Sequence, residues 1–213
     1  PMESIDADAV LIREEAELDL RLRPIFEESF PPSEREPFEE LAAGIAEGRL
    51  RLFAAWLGDA PVGMGVTIDL PANRAALLSY MAVRPDLRGG GIGGRLLEHV
   101  ASALNAEGTV HLLLEVESVD YAPPEEVELR RRRVRFYQRH GAQIIPCAPR
   151  YRVPNLAEPG EVYYYLMWMP LRRRARMPAG ARLKRLVRAI FRRSYGLPPR
   201  DALVHDVIGE LIC

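Results

Sequence analysis

The spacing of apolar residues changes several times along the chain, and each change marks an element. Ala9–Arg13 reads as a short strand. Ala16–Phe30 carries Leu18, Leu22, Ile25 and Phe26 at helical spacing, and Pro37–Glu47 carries Phe38, Leu41 and Ile45 in the same way. Pro31, Pro32 and Ser33 separate these two helices, and Gly48 closes the second. Three runs of strand character follow, Leu50–Leu57, Val62–Leu70 and Ala76–Val83. Gly58-Asp59 and Pro71-Ala72-Asn73 join them with turn chemistry, which predicts an antiparallel meander.

After Val83 comes a glycine-rich turn, then a helix with Ile92, Leu96, Leu97, Val100 and Leu104 on one side, then an apolar strand, Val110–Val116. Strand, helix and strand imply a right-handed parallel crossover. Pro123-Pro124 precedes a helix over Glu125–His140, in which Glu126 can pair with Arg130 and Glu128 with Arg132, and Gly141 ends it. Strands near Gln143–Pro146 and Val162–Met169 complete the pattern. The fold class is therefore α/β, a mixed central sheet of about seven strands flanked by helices. Beyond Pro170, Leu183, Leu186, Val187 and Ile190 form one helical stripe, and Leu203, Val207, Ile208 and Leu211 another. Residues 1–170 thus read as one α/β unit and 171–213 as a helical extension.

A chain of 213 residues, 48% hydrophobic, can bury a sizeable core, which excludes a disordered chain. No apolar run approaches the roughly 18 residues of a membrane span. Cys147 and Cys213 are too few to staple a fold of this size, and neither stands in a metal-ligand spacing with a histidine. Residues 1–20 lack the basic start and apolar stretch of a signal peptide, so the expected location is cytoplasmic; Pro1 ahead of Met2 reads as a remnant foreign to the fold. The formal charge of −1 hides an asymmetry: the first forty residues are acidic, whereas ten basic residues stand between Arg172 and Arg193. Such a tail meets either a polyanion or an acidic face of its own chain or a neighbour's. Near-neutral overall charge argues against nucleic acid.

The most informative segment is Arg84-Pro85-Asp86-Leu87-Arg88-Gly89-Gly90-Gly91-Ile92-Gly93-Gly94. It lies between a strand and a helix, where free N–H groups and the helix dipole hold anions, and glycines remove each Cβ that would keep a phosphate away. Gly89, Gly91 and Gly94 also satisfy GxGxxG, with Glu115 about twenty residues further on, as in a nicotinamide-dependent oxidoreductase. Antiparallel hairpins ahead of the motif and a single crossover argue against that reading. A Walker loop fails as well, because Gly94 is followed by Arg95 and Leu96.

Arg88-x-x-Gly91-x-Gly93, after Val83-Arg84-Pro85 and opening a helix, resembles the acyl-CoA pyrophosphate loop of the GNAT acetyltransferase superfamily. Leu114-Glu115-Val116 is similar to the family's strand after the crossover helix, and Phe136-Tyr137-Gln138-Arg139-His140-Gly141-Ala142 to its Tyr-x-x-x-Gly element. The resemblance runs from about Val10 to Met169. It implies that residues 1–170 form an acyl-CoA-binding catalytic domain with acetyl-CoA as cosubstrate, in which the fourth and fifth strands splay around the pantetheine arm. Backbone groups of Met81, Ala82 and Val83 would hold that arm. Amides of Gly89, Gly90, Gly91, Ile92, Gly93 and Gly94 would take the pyrophosphate, with Arg88 shaping the loop or adding charge.

Acyl transfer from a thioester needs a neutral nucleophile, a donor for the carbonyl oxygen and a proton for the departing thiolate. Tyr137 is the candidate acid, or a tyrosine that caps the core; Val83 N–H is the candidate carbonyl donor. Glu115 is the candidate base, or a structural or acceptor-orienting carboxylate, with Glu117 as the substitute. The family's fourth-strand glutamate is replaced by Ser79-Tyr80, and its asparagine after the Leu-Glu-Val segment by Asp120, ahead of an apparent insertion over Tyr121–Arg130. Arg130–Arg133 read as a solvated face, or as contacts to an acidic acceptor or the 3′-phosphate of CoA. His140 and His111 read as structural. One or two of Tyr163, Tyr164 and Tyr165 border an acceptor pocket or only pack. Glu27 and Glu28 hint at a cationic acceptor, and the extension at a homodimer or an intramolecular lid. The expected function is acetyl-CoA-dependent N-acyl transfer to a small-molecule or peptide amine. The alternative is a non-catalytic acyl-CoA-binding sensor.

Overall fold

The computed structural model describes residues 9–212; the readings of Pro1, Met2 and the acidic start up to Asp8, and Cys213, lie outside it. Eight strands form a sheet, one more than the pattern predicts. β1 (Val10–Glu15), β2 (Arg51–Leu57), β3 (Ala60–Leu70) and β4 (Ala75–Val83) make the antiparallel meander. Helix α3 (Ile92–Ala106) then carries the chain to β5 (His111–Glu117), which lies parallel to β4. β8 (Glu161–Pro170) pairs with the far edge of β5, and both β6 (Gln143–Ile144) and β7 (Arg152–Pro154) pair with β8. β7 leaves no periodic signal, because three residues ending in proline are too short to alternate.

The first helical segment starts later than its apolar spacing suggests. Asp19 accepts a hydrogen bond from Arg21 N–H at 2.8 Å and opens a single 3₁₀ turn over Leu20–Leu22. α1 (Arg23–Ser29) begins only there, with Pro24 in its first turn. Proline lacks the N–H that a helix interior needs and is accepted where that donor would be free anyway. α2 (Phe38–Ala46) has the expected bounds within a residue.

Strand alternation divides the core between the two faces of the sheet. On one face, Leu52, Met64, Leu77, Tyr80, Leu113, Leu166 and Trp168 pack with α1, α2 and the extension. On the other, Leu78, Leu112, Leu114, Val116 and Met167 pack with α3 and with Val134 of α4 (Val127–Arg139). The extension forms α5 (Gly180–Ser194) and α6 (Ala202–Gly209). Leu183, Leu186, Val187, Ile190 and Phe191 of α5 are fully buried in the first of these clusters. Burying five such side chains stabilises the fold by roughly 1.5–3 kcal/mol each. The basic residues of the extension do not dock on an acidic face: the ion pairs among the described residues involve none of Arg172–Arg193. The apolar stripe of α5 turns inward, and its arginines are left outside.

Candidate active site

The sheet opens in its middle. β4 and β5 are paired only from Ala75↔His111 to Leu78↔Leu114. One residue later the register of β4 against β3 shifts, with Thr67 opposite Leu78 and Val66 opposite Tyr80. Ser79 is the extra residue of a β-bulge, which bends its strand and strengthens the local twist. The bulge thus turns β4 away from β5 where their pairing ends. Beyond it Arg84 N–H donates to Val62 O at 2.9 Å, so Val62 and Arg84 form a bonded pair. Bonded and non-bonded pairs alternate along an antiparallel ladder. Ala82 therefore bonds Met64, while Met81 and Val83 turn their N–H and C=O groups toward the opening. All three residues line a cleft of about 960 Å³ that passes through the sheet.

At one mouth of the cleft the glycine loop leads into α3. Gly91 is the N-cap with φ 86°, and Gly89 has φ 88°, a left-handed conformation that other residues rarely adopt. The amides of the first helical turn have no intrahelical acceptor, so Ile92, Gly93 and Gly94 present a row of donors at the positive end of the dipole. Gly94 also permits a close approach, since a Cβ there would lie 2.7 Å from Nε2 of His140. Arg88 acts on the loop's shape: its guanidinium donates to Val83 O at 3.0 Å and to Ser29 Oγ at 3.0 Å. Arg95, which the sequence offered only as a departure from the Walker pattern, also lines the cleft, with a buried Nη1 that has no partner in the fold. A cradle of glycines beside an orphaned cationic donor fits a phosphate-bearing ligand.

Tyr137, on α4, lines the same side of the cleft and packs against the cluster around α3. Desolvation pushes its phenol up to about 12, so it stays protonated at neutral pH. His140 is the C-cap of α4, as expected, and its Nδ1–H donates to Phe136 O at 2.8 Å.

Glu115 alternates with Leu114 and Val116 and so belongs to the opposite face of the sheet. There it accepts hydrogen bonds from two phenols, Tyr151 at 2.5 Å and Tyr195 at 2.7 Å. Burial pushes its carboxyl above the ordinary range, and the two hydroxyls draw it part of the way back. Glu117 has a different setting. It is ion-paired with Arg133 and lies 3.8 Å from Arg130, so it faces two cations of α4. Of Arg130–Arg133, Arg130 and Arg133 hold Glu126 and Glu117, Arg131 rather than the expected Arg132 pairs with Glu128, and Arg132 lines the cleft.

The wall around Glu115 comes from positions that lie far apart in sequence. Glu34, Glu36, Glu40, Tyr80, Tyr164, Ser194 and Tyr195 all line the cleft. Glu36 N–H donates to the Tyr80 hydroxyl at 3.2 Å. Burial raises the carboxyl of Glu34 and, with help from neighbouring Glu40, that of Glu36. Of the three consecutive tyrosines only Tyr164 lines the cleft, whereas Tyr163 stacks on Tyr121 at 3.9 Å. Glu27 and Glu28 do not line it, and Glu27 pairs with Arg23 on the surface of α1. Asp120 is likewise outside the cleft wall; its N–H donates to Ser118 Oγ at 3.2 Å.

The sheet is thus split beside a helix N-terminus, with a phenol on one face and a carboxylate on the other. Residues 48–141 match the family model of the acetyltransferase (GNAT) domain. The fold is similar to that of a protein assigned to the GNAT acetyltransferase family from Bacteroides thetaiotaomicron, at 26% identity and a TM-score of 0.68, covering 87% of this chain and 99% of that one. It is also similar to an aminoglycoside 6′-N-acetyltransferase solved with coenzyme A, at 17% identity and a TM-score of 0.57, covering 78% of this chain and 99% of the other. A GNAT acetyltransferase from Elizabethkingia anophelis with acetyl-CoA bound is similar at 15% identity and a TM-score of 0.53, covering 76% and 99%. No curated protein matches the sequence. Residues 48–141 are thus similar to a GNAT acetyltransferase domain, and the mixed sheet with its flanking helices has the fold of the GNAT neighbours. Among the described residues no helix is long and apolar enough to cross a membrane.

Proposed function

We propose that the protein transfers an acetyl group from acetyl-CoA to an amine by direct attack within a ternary complex. The observation that carries this reading is the opening between β4 and β5, which joins a phosphate-type cradle on one face to a buried carboxylate on the other. Gly89, Gly90, Gly91, Ile92, Gly93 and Gly94 would hold the pyrophosphate through their amides, and Arg95 would add a charged donor. The open edge at Met81 would pair with the amides of the pantetheine arm, with Ala82 lining it and Val83 N–H at its reactive end. When bound, acetyl-CoA supplies the activated acyl group.

The remaining chemistry falls to three groups of the chain. Val83 N–H faces the opening and can polarise the thioester carbonyl. Glu115 accepts the proton that the incoming ammonium must lose, and its raised affinity for protons makes it a better base than an ordinary carboxylate. Tyr137 keeps its proton at neutral pH and can donate it to the departing sulfur. The new bond joins amine nitrogen to acetyl carbon, the carbon–sulfur bond breaks, and one proton is released to solvent overall.

Calorimetry with acetyl-CoA tests the first half of this reading, comparing the wild type with Gly91→Glu. Micromolar binding that is lost in the folded variant supports the loop assignment, and no binding at millimolar acetyl-CoA refutes it. Thiol release with a panel of amines tests the second half. Tyr137→Phe should lower kcat by about two orders of magnitude.

A further inference from the structure

The wall opposite the cofactor cradle carries carboxylates and phenols and little positive charge. Glu34, Glu36 and Glu40 lie on it, with Glu115 at its base, and the rings of Phe30, Tyr80 and Tyr164 give it apolar surface. The cations that line the cleft, such as Arg88, Arg95 and Arg132, come from the glycine loop, α3 and α4, on the other side. Arg130 and Arg133, whose charges act on Glu34, are engaged with Glu126 and Glu117, and Arg49, whose charge acts on Glu36, pairs with Glu47. Two further groups point to a ligand: Ser79 Oγ and Ser194 Oγ border the same cleft, are buried, and have no partner in the fold. Buried hydroxyls are normally satisfied, so a bound molecule with N–H groups would complete them.

We propose that this pocket selects an aliphatic amine carrying a second positive charge, a di- or polyamine. One nitrogen meets Glu115 at the opening in the sheet and is acetylated. The second stays protonated against Glu34, Glu36 and Glu40, and the methylenes between them lie along Tyr80 and Tyr164. A neutral amine forgoes the second contact, and an amino acid of equal length places its carboxylate against the glutamates. This inference rests on the amine-transfer reading above and deepens it.

The test uses the full chain, acetyl-CoA and three acceptors of one length: 1,5-diaminopentane, pentylamine and 5-aminopentanoate. Thiol release should give a kcat/KM for the diamine at least about tenfold above that for pentylamine, with 5-aminopentanoate slowest. In Glu34→Gln/Glu36→Gln, checked for retained acetyl-CoA binding, the ratio of diamine to pentylamine should fall toward one. Pentylamine turned over as fast as the diamine, or a ratio unmoved in the double variant, overturns the proposal while leaving amine acetylation intact. If no amine turns over although acetyl-CoA binds, the transfer reading fails, and calorimetry of the diamine against the CoA complex decides the pocket by itself. Binding tighter than that of pentylamine supports the proposal, and equal or absent binding overturns it.

Discussion

Tyr195→Phe isolates what the C-terminal extension contributes to the site. The substitution removes one hydroxyl, which donates to Glu115 Oε2 at 2.7 Å, and keeps the ring that packs 5.8 Å from Phe191. Glu115 retains the bond from Tyr151 but loses half of its phenolic support. A hydrogen bond to a charged group is worth about 1.5–3 kcal/mol, and 1.36 kcal/mol corresponds to about one pH unit of proton affinity. Since the lost bond favours the anion, the carboxyl holds its proton more tightly. The acidic limb of kcat/KM against pH should therefore move up by about one to two units.

The same change has a signature in stability that does not depend on turnover. The folded-state proton affinity of Glu115 is raised by burial, so its contribution to stability is present at low pH and is lost as pH rises through the folded pKa. Tyr195→Phe removes support from the anion, so its destabilisation should grow with pH, by about 1.5–3 kcal/mol between the protonated and ionised limits. Urea denaturation of both proteins across pH 5 to 9 measures this. An acidic limb that stays in place, together with a stability difference that is flat in pH, would refute the assignment of Glu115 as a titrating base held by Tyr195.

The other expectations are simpler. Gly91→Ala should cost about 1–2 kcal/mol in denaturant melts, because its φ of 86° is left-handed, and should weaken acetyl-CoA by more than the melt alone explains. Gly94→Ala should destabilise by about 1–3 kcal/mol through the contact of its Cβ with the His140 ring, and His140→Ala in the same chain should relieve most of that loss. Phe191→Ala, at a fully buried site in the extension, should cost about 3–5 kcal/mol, and a chain ending at Pro170 should lose cooperative unfolding. His111 is held down to about 4, first by desolvation and then by the charges of Arg182 and Arg74, so it resists protonation in the fold. Its stabilisation is complete above pH 6.5 and is lost as pH falls toward 4; in His111→Gln that slope should shrink.

What the sequence discloses about this fold follows from the range over which each interaction acts. Helix and strand spacing is local, and the meander, the crossover and α3 to α5 are visible in it. The glycine loop is equally local, because left-handed backbone at Gly89 and Gly91 and the contact at Gly94 each demand a missing Cβ. The late start of α1 shows where local spacing misleads: Leu18 and Leu22 have the right period, yet Pro24 permits a helix only from the following turn. The hydrogen bonds that hold Glu115 are not legible in that spacing. Its two donors lie 36 and 80 residues away and are delivered by β-sheet closure and by the docking of α5, which no window along the chain can register. The carboxylates of the cleft escape such a window for the same reason. Glu27 and Glu28 lie on α1, whereas the cleft is lined by Glu34 and Glu36 in the turn that follows it.

The division of the site by the sheet has a kinetic consequence. Tyr137 packs with the α3 face and Glu115 with the α5 face, so the proposed acid and base reach the reacting centre from opposite sides of the opening. No proton need pass between them, and the two should titrate independently. Tyr137→Phe should then lower kcat while leaving the acidic limb of the pH profile in place, whereas Tyr195→Phe should move that limb with a smaller effect on the plateau. In the double variant the effects should add on a logarithmic scale, as they do for sites without a shared partner. A double variant no slower than Tyr137→Phe alone would instead mean that both residues serve one proton transfer, and the arrangement of acid and base on separate faces would have to be abandoned.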